Sequence, residues 1–449
     1  MRQVPSNPFL RGIALARLGV RSSLCLGSYS LSHWFGSGEQ REEQRHRMLT
    51  EQARILTQEL GKLKGSAMKV GQLLALYGEH MYLPPEVVDI LRTLQDDSPP
   101  LDWLALQPVL KRELGAARLR EMEIDPEPLA AASLGQVHRA RRLRDDRLLC
   151  IKIQYPGVAE AIDSDLNTVG TLLLLSRMLP QGFDLNEMLG EIRKMLRREV
   201  DYRSEATQIQ AFRDLLSSDP RFCVPEIFPE YCTARVLTMS YEPGLNPDSA
   251  AVRELSLERR NRLAEAALEL FLREFFRWNR VQTDPHFGNY RVRLDPQGRT
   301  DRWVLLDFGA VCGYSQDFLT HYHEMIRGAL WQDRERLRRA AVGLGFMPAN
   351  ASAKTWDDFA AMCALIVEPF SESIADGNPT RAQGAYRWGA SELPQRVAVA
   401  ASKASLSYSF RLPPKEFVFL HRKLGGVFIL LAKLNAEFSG RNLLLEYLS

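Results

Sequence analysis

A chain of 449 residues has the length of two or three domains, or of one large two-lobed enzyme. Hydrophobic residues at 45% and charged residues at 25% match soluble globular proteins and exclude disordered, collagen-like and coiled-coil chains. With 58 Lys+Arg against 55 Asp+Glu, the net charge of +3 gives no general attraction for nucleic acid.

The first 38 residues hold Arg2, Arg11, Arg17 and Arg21, no acid, and apolar side chains such as Phe9, Leu10, Ile13, Trp34 and Phe35. Such a start suits an anionic membrane surface, an import signal, or a frayed terminus packed on the body. From 39 to 77, Met48, Ile55, Leu56, Leu60, Leu63, Leu73 and Leu74 recur at helical spacing, and Gly78 is a stop. Pro84-Pro85 opens a second helix over 85–94. Ser98-Pro99-Pro100 marks a boundary.

Between 124 and 155, two short strand-like runs flank a loop, Ala130-Ala131-Ala132-Ser133-Leu134-Gly135. A charged loop over 141–146 leads to a buried-strand run over 148–153, interrupted by Lys152, and Tyr155-Pro156-Gly157 ends it. A helical region over 158–216 follows, then a strand over 235–241 and the turn Glu242-Pro243-Gly244. An amphipathic helix over 255–278, a polar loop over 281–290 and a hairpin over 290–294 and 303–306 come next. The remainder reads as helical apart from a polar stretch over 376–392, and no internal repeat is visible. This order predicts an α+β, two-lobed enzyme. Its sections are an N-terminal helical extension over 1–100, a strand-bearing section with a helical insertion over 101–245, and a helical section over 246–449.

Six cysteines, at 25, 150, 223, 232, 312 and 363, include no C-x-x-C pair. That excludes a zinc ribbon and fits a reducing compartment. No apolar run approaches the roughly 20 residues of a spanning helix, so no transmembrane helix is expected.

Four features carry chemistry. Asp307-Phe308-Gly309 follows the apolar strand over 304–306; alone it is an ordinary strand-to-turn tripeptide. Asp284 and Asn289 stand five residues apart in Asp284-Pro285-His286-Phe287-Gly288-Asn289, the separation of a kinase catalytic loop. A turn-forming role for both residues is the plainer alternative. Lys152, inside an apolar run, needs an anion. Glu199, Asp201 and Glu205 lie within seven residues. On one helix Asp201 and Glu205 would share a face and repel unless a cation intervened. Together these occur in kinase order: lysine, helix acid, catalytic-loop Asp and Asn, then the Asp of D-F-G. No Walker A, H-E-x-x-H or G-x-S-x-G pattern occurs, which removes P-loop, zincin and α/β-hydrolase chemistry.

From about residue 51 to the C-terminal helices the chain resembles the UbiB/ADCK atypical kinase-like family, linked to ubiquinone (coenzyme Q) biosynthesis. Lys69-Val70-Gly71-Gln72 is similar to its K-x-G-Q motif. Ala130-Ala131-Ala132-Ser133 is similar to the alanine-rich loop that replaces the kinase glycine loop, and Glu199-Val200-Asp201 to its E-x-D motif. The resemblance implies a protein-kinase-like fold whose N-terminal extension carries K-x-G-Q, and Mg²⁺ with ATP or ADP as cofactors. It implies that Lys152 meets the α- and β-phosphates and pairs with Glu205, that Asp284 takes the catalytic-aspartate position, and that Asn289 and Asp307 hold Mg²⁺. Met239, Tyr241 and Glu242 would line the adenine hinge. Lys69 and Gln72 would lie over the active site, with Lys69 near Glu199 and Asp201, blocking a protein substrate. Implied partners are ubiquinone-biosynthesis enzymes or an isoprenoid lipid. The implied location is the cytoplasm or the periphery of an inner membrane, on the mitochondrial matrix side if eukaryotic. Some bacterial members end in membrane-spanning segments; residues 419–426 are closer to mitochondrial-type members. The reading is an ATP-binding atypical kinase or ATPase. The alternatives are a nucleotide- or lipid-binding pseudokinase scaffold and a protein kinase acting in trans.

Overall fold

The computed structural model describes residues 47–48, 50–51, 54–55, 57, 69–71 and 73, then 100–132, 134–176, 184–345, 347–372, 381–382, 384–406 and 415–448. The expectations for residues 1–38, for most of 39–77, for the helix over 85–94, and for Gln72 and Ser133 lie outside the described residues. The chain divides into two compact units: Met1–Gln210 with Glu226–Tyr241, and Ala211–Pro225 with Glu242–Ser449.

In the first unit, Asp102 accepts from the Leu104 N–H at 2.9 Å and starts α1 (Trp103–Leu119). Leu106, Val109, Leu110 and Leu114 form its buried stripe. A four-stranded antiparallel sheet follows, in the order β1 (Met122–Ala131), β2 (Gly135–Arg142), β3 (Arg147–Gln154) and β4 (Val236–Ser240). Register shifts around Pro128 are tolerated because β1 is an edge strand, where proline removes no needed donor. In β3, Leu149, Ile151 and Ile153 are fully buried and alternate with Cys150, Lys152 and Gln154. The run is therefore not a continuous buried strand with one intruding lysine. It has two faces, and Lys152 lies on the one away from the aliphatic core.

The helical region over 158–216 consists of three helices: α2 (Val158–Ser176), α3 (Leu185–Glu199) and α4 (Tyr202–Leu215). Asp184 caps α3 by accepting from the Glu187 N–H at 2.9 Å. Leu185, Met188, Leu189, Ile192 and Leu196 make its buried stripe, which joins Ile162, Leu166 and Val169 of α2 in the core. On the outer side Arg193 and Arg197 both reach Asp163 at 2.9 Å.

In the second unit, Ser256 caps α5 (Leu257–Leu272), which runs on as a π-helical turn, Arg273–Arg277. The hairpin is β5 (Tyr290–Arg293) with β6 (Arg302–Leu305), and the two-residue strand Phe222–Cys223 pairs parallel to β6. Asp295 shapes the hairpin turn by accepting from the backbone N–H of Gln297, Arg299 and Thr300. Then come α6 (Gln316–Leu330), α7 (Arg334–Gly343), α8 (Ala353–Val367), α9 (Leu393–Leu406), α10 (Lys415–Lys433) and α11 (Arg441–Leu448). Part of the polar stretch over 376–392 is the small hairpin Arg381–Ala382 with Ala385–Tyr386. Among the described residues Cys150, Cys223, Cys232, Cys312 and Cys363 are free thiols, and no helix is long and apolar enough to cross a membrane.

One buried polar group makes the first unit sensitive to pH. Gln136 and His138 of β2 have no exposed surface. The Gln136 amide brackets the backbone of Leu101, accepting from its N–H at 2.9 Å and donating to its carbonyl at 3.3 Å. His138 Nδ1 lies 2.7 Å from the Asp125 carbonyl and Nε2 lies 2.8 Å from the Gln136 amide nitrogen. This fixes the Nδ1–H tautomer, since Nε2 must accept. Burial pushes the imidazole below its ordinary 6.5, with the Asp125 carbonyl partly opposing. The neutral ring therefore stabilises the fold above pH 6.5, and that contribution is lost as pH falls through the lowered native value. The expected slope for this one group is at most ~1.4 kcal/mol per pH unit. Denaturant melts between pH 7.5 and 5.5 check it: His138→Gln should flatten the wild-type slope, and an unchanged slope contradicts the assignment.

Candidate functional site

In the first unit Lys152 Nζ stands 2.8 Å from Oε1 and 3.0 Å from Oε2 of Glu205. Glu205 is 2% exposed and Lys152 13%. Its pairing partners across the sheet are Val137 and Leu237, and its ammonium sits 5.1 Å from the centre of the Tyr202 ring. Truncating Lys152 alone would take the ammonium away from a buried carboxylate, at a cost of about 3–5 kcal/mol. Gly135 permits the arrangement. A Cβ there would collide with the Ile153 carbonyl and come within 2.8 Å of the Tyr202 hydroxyl.

The three acids of 199–205 do not share one helix face. Glu199 ends α3, and Val200 is its C-cap. Asp201 precedes α4 and accepts from the N–H groups of Arg203 and Ser204 at 3.2 and 3.4 Å. It is a capping carboxylate at the positive end of a helix, so repulsion from Glu205 is offset by backbone donors. The Val200 carbonyl between the two motif acids accepts from Gln154 Nε2 at 2.6 Å. Lys69, from the N-terminal extension, lies 2.8 Å from Glu199.

The alanine run is also placed differently from the expected loop. Ala130 and Ala131 end β1, paired with Val137 and Gln136. Ala132 donates to the Gly135 carbonyl at 2.8 Å and closes the hairpin. The turn is thus shorter than the four-residue run, and all three alanines are exposed. Met239 is buried in β4 opposite Cys150, and Tyr241 donates its N–H to the Leu148 carbonyl at 3.0 Å. Glu242 belongs to the second unit, where it receives Arg293 at 2.6 Å and the Cys223 thiol at 3.4 Å.

In the second unit the loop expected over 281–290 begins as a two-residue strand, Val281–Gln282, paired with Val311–Cys312, and ends in a 3₁₀ turn, Phe287–Asn289. Thr283 donates its N–H and its hydroxyl to the Ala310 carbonyl at 2.9 and 2.8 Å. The Leu306 N–H donates to the Asn289 carbonyl at 2.9 Å. The loops bearing Asp284 and Asp307 are therefore stitched side by side. Asn289 Nδ2 donates to Asp284 Oδ2 at 3.1 Å, which turns the amide oxygen away from that carboxylate. Asp307 Oδ1 accepts from the Gly309 N–H at 2.9 Å, and Phe308 is buried against Phe212 at 4.6 Å between ring centres. Together Asn289 and Asp307 offer one amide oxygen and one carboxylate, a donor set for a hard divalent cation completed by phosphate and water. Among the described residues no group of three or more His, Cys, Asp and Glu side chains gathers. His321 and His323 instead bond the carbonyls of Asp317 and Tyr447.

The contribution of α10 could not be read from local sequence. Arg422 Nη2 lies 2.7 Å from Asp284 Oδ1. Lys423 is buried with Glu274 at 3.2 Å. Gly426 lets Pro285 rest directly on the helix, where a Cβ would collide with the proline ring. In sequence the run over 419–426 carries only a family likeness. Arg422 lies 138 residues beyond Asp284, so no spacing rule connects them.

Residues 93–341 match the model of the ABC1 atypical kinase-like domain. The mitochondrial atypical kinase COQ8 of Saccharomyces cerevisiae is 34% identical over 385 residues, covering 85% of this chain and 73% of that one. The mitochondrial atypical kinase COQ8B of Rattus norvegicus is 32% identical over 444 residues, 98% of this chain and 80% of that one. A solved structure, the Mycobacterium tuberculosis protein Rv3197 in complex with erythromycin, aligns with a TM-score of 0.59. It is 26% identical and covers 86% of this chain and 93% of that one.

Two adjacent glycines of α10 test the seating of the Asp284 loop. A Cβ at Gly425 meets nothing within 4 Å, so Gly425→Ala should be neutral or stabilise by up to ~1 kcal/mol through helix propensity. Gly426→Ala must displace Pro285 and should cost about 1–3 kcal/mol. Thermal melts of both variants check this, and equal behaviour of the two contradicts the contact.

Proposed function

The chain belongs to the ABC1 atypical kinase-like family, and on that premise we propose that it binds Mg–ATP and acts as an atypical kinase or ATPase supporting ubiquinone biosynthesis. The observation that carries this reading is the Lys152–Glu205 pair. A carboxylate with almost no exposed surface holds a less buried ammonium in one orientation, on the strand beside the alanine–glycine turn. That is what a phosphate contact requires: a fixed positive charge whose desolvation is already offset before nucleotide arrives.

Asn289 and Asp307 are proposed as the metal ligands, because their oxygens match Mg²⁺ and leave room for phosphate oxygens. Bound Mg²⁺ would neutralise charge on those oxygens. Asp284 takes the catalytic-aspartate position, yet both of its oxygens are engaged, one by Arg422 and the other by Asn289. Arg422 and Asn289 thus hold the carboxylate in one orientation. A carboxylate tied to two side chains in this way is the observation that favours a pseudokinase scaffold as the second reading. The Lys69–Glu199 contact favours hydrolysis or a small acceptor over phosphorylation of proteins in trans, since it anchors the K-x-G-Q segment to the E-x-D segment. Ala130, Ala131, Ala132, Ser133, Gln72, Asp201, Met239, Tyr241 and Glu242 are proposed to complete the nucleotide environment. The proposed place of action is a membrane periphery, beside ubiquinone-biosynthesis enzymes or an isoprenoid lipid. It would be the matrix side of the inner membrane in a mitochondrion, as in relatives named mitochondrial.

Mg–ATP at about 100 times its dissociation constant should stabilise the wild type by roughly 2.7 kcal/mol. Lys152→Met/Glu205→Gln, which removes both charges, should keep the nucleotide-free melting temperature near wild type and lose most of that shift. Asp307→Asn should lose its Mg²⁺-dependent part. A wild type that shows no shift contradicts nucleotide binding. Quinone profiling of a deletion strain checks the pathway: only the wild type should restore ubiquinone, and full rescue by Asp307→Asn points to the scaffold.

A further inference from the structure

Behind the loop bearing Asp284 lies a charged cluster that the reading above does not use. Lys423 is 3% exposed and Glu274 1%. The ammonium stands 3.2 Å from the Glu274 carboxylate, 3.2 Å from the Tyr290 hydroxyl and 3.5 Å from Gln282 Oε1. The Tyr290 hydroxyl in turn donates to Gln282 Oε1 at 3.2 Å, and the Gln282 backbone N–H donates to the Glu274 carboxylate. Main chain and side chain of Gln282 are thus both held by the cluster. Burial alone would lower the Lys423 pKa, but the Glu274 and Tyr290 oxygens hold it above the ordinary value, so the residue stays charged. Burial pushes the Glu274 carboxyl up, against the pull of that ammonium.

The far end of Gln282 does the connecting. Its Nε2 donates to the Asp284 carbonyl at 2.9 Å and to the Asp307 carbonyl at 3.4 Å. One amide nitrogen therefore spans the backbones of the two carboxylates that the proposed function assigns to catalysis and metal. A buried ion pair is weak support for stability, since an uncharged replacement of both partners is often neutral. Its retention here, at the back of two adjacent loops, has another physical use.

We propose that Lys423 and Gln282 are positioning residues: the buried ammonium fixes the Gln282 amide, and that amide ties the main chain of Asp284 to that of Asp307 and so sets their spacing. The effect on Mg–nucleotide rests on the proposed function; the tie itself does not. Outer-shell partners of this kind orient ligands without touching the ion, and losing them weakens metal binding while the ligands remain. Glu274 sits in the π-helical turn Arg273–Arg277, a local widening of the helix of the kind that recurs at functional sites.

The test uses the full chain as wild type, Gln282→Leu and the charge-free pair Lys423→Met/Glu274→Gln, which avoids the unpaired buried charge left by either single change. Hydrogen–deuterium exchange is followed in peptides covering 282–290 and 305–312, without nucleotide. Nucleotide binding is titrated against Mg²⁺. Exchange should rise in both peptides together in both variants, with melting temperatures within a few degrees of wild type. The Mg²⁺ concentration for half-maximal binding should rise about tenfold, while nucleotide affinity at saturating Mg²⁺ changes little, a split that general loosening of the fold would not give. Exchange that stays unchanged, or rises in one peptide only, overturns the tie. A wild type that binds no nucleotide while both peptides still loosen together sinks the nucleotide reading and supports the tie.

Discussion

The Lys152 ammonium and the Glu205 carboxylate, removed from water together, constrain everything around them in the first unit. Neither charge is tolerable there alone, so β3 and α4 must meet in one register. Alternation along β3 puts Leu149, Ile151 and Ile153 into the aliphatic core and turns Lys152 to the other face. The first turn of α4 must then bring Glu205 to it, and Asp201 fixes where that helix starts by capping it. Gly135 clears the space at the end of β2 that a side chain would fill. A short segment, Glu199-Val200-Asp201, thereby acquires three jobs: anchoring Lys69, accepting from Gln154 and starting the helix that carries Glu205.

The second unit solves a different problem, that of holding two carboxylate-bearing loops close without letting them collapse. Backbone bonds from Thr283 and Leu306 align the loops. The π-helical turn and α10 supply the charge behind them through Glu274 and Lys423, and Arg422 neutralises Asp284 from the side. Helix α10 therefore packs directly on these loops, and Gly426 is the point at which loop and helix touch.

Features encoded by local order were legible. The β5–β6 hairpin follows from Asp295-Pro296-Gln297-Gly298 between an alternating run, Tyr290-Arg291-Val292-Arg293-Leu294, and an apolar one, and the strand beneath Asp307 from Val304-Leu305-Leu306. The kinase-like class followed from the order of lysine, acids, Asp…Asn and D-F-G. Other features needed tertiary information. Alanine is a weak strand former, yet Ala130 and Ala131 are strand because Gln136 and Val137 pair with them. Asp201 and Glu205 looked equivalent at helical spacing until the helix start fell between them. Helix α1 carries its signals locally too, a cap at Asp102 and a stripe from Leu106 to Leu114. Arg422 and Lys423 carry no local signal, because their partners lie more than a hundred residues upstream.

The most direct measurement is a crystal structure of the full chain with Mg²⁺ and a non-hydrolysable ATP analogue. This account predicts a single nucleotide with a phosphate oxygen in hydrogen-bond contact with Lys152 Nζ. It also predicts a metal bonded to Asp307 and to the Asn289 amide oxygen at about 2.0–2.1 Å. A nucleotide bound away from Lys152, or a metal that ignores both Asn289 and Asp307, would contradict it.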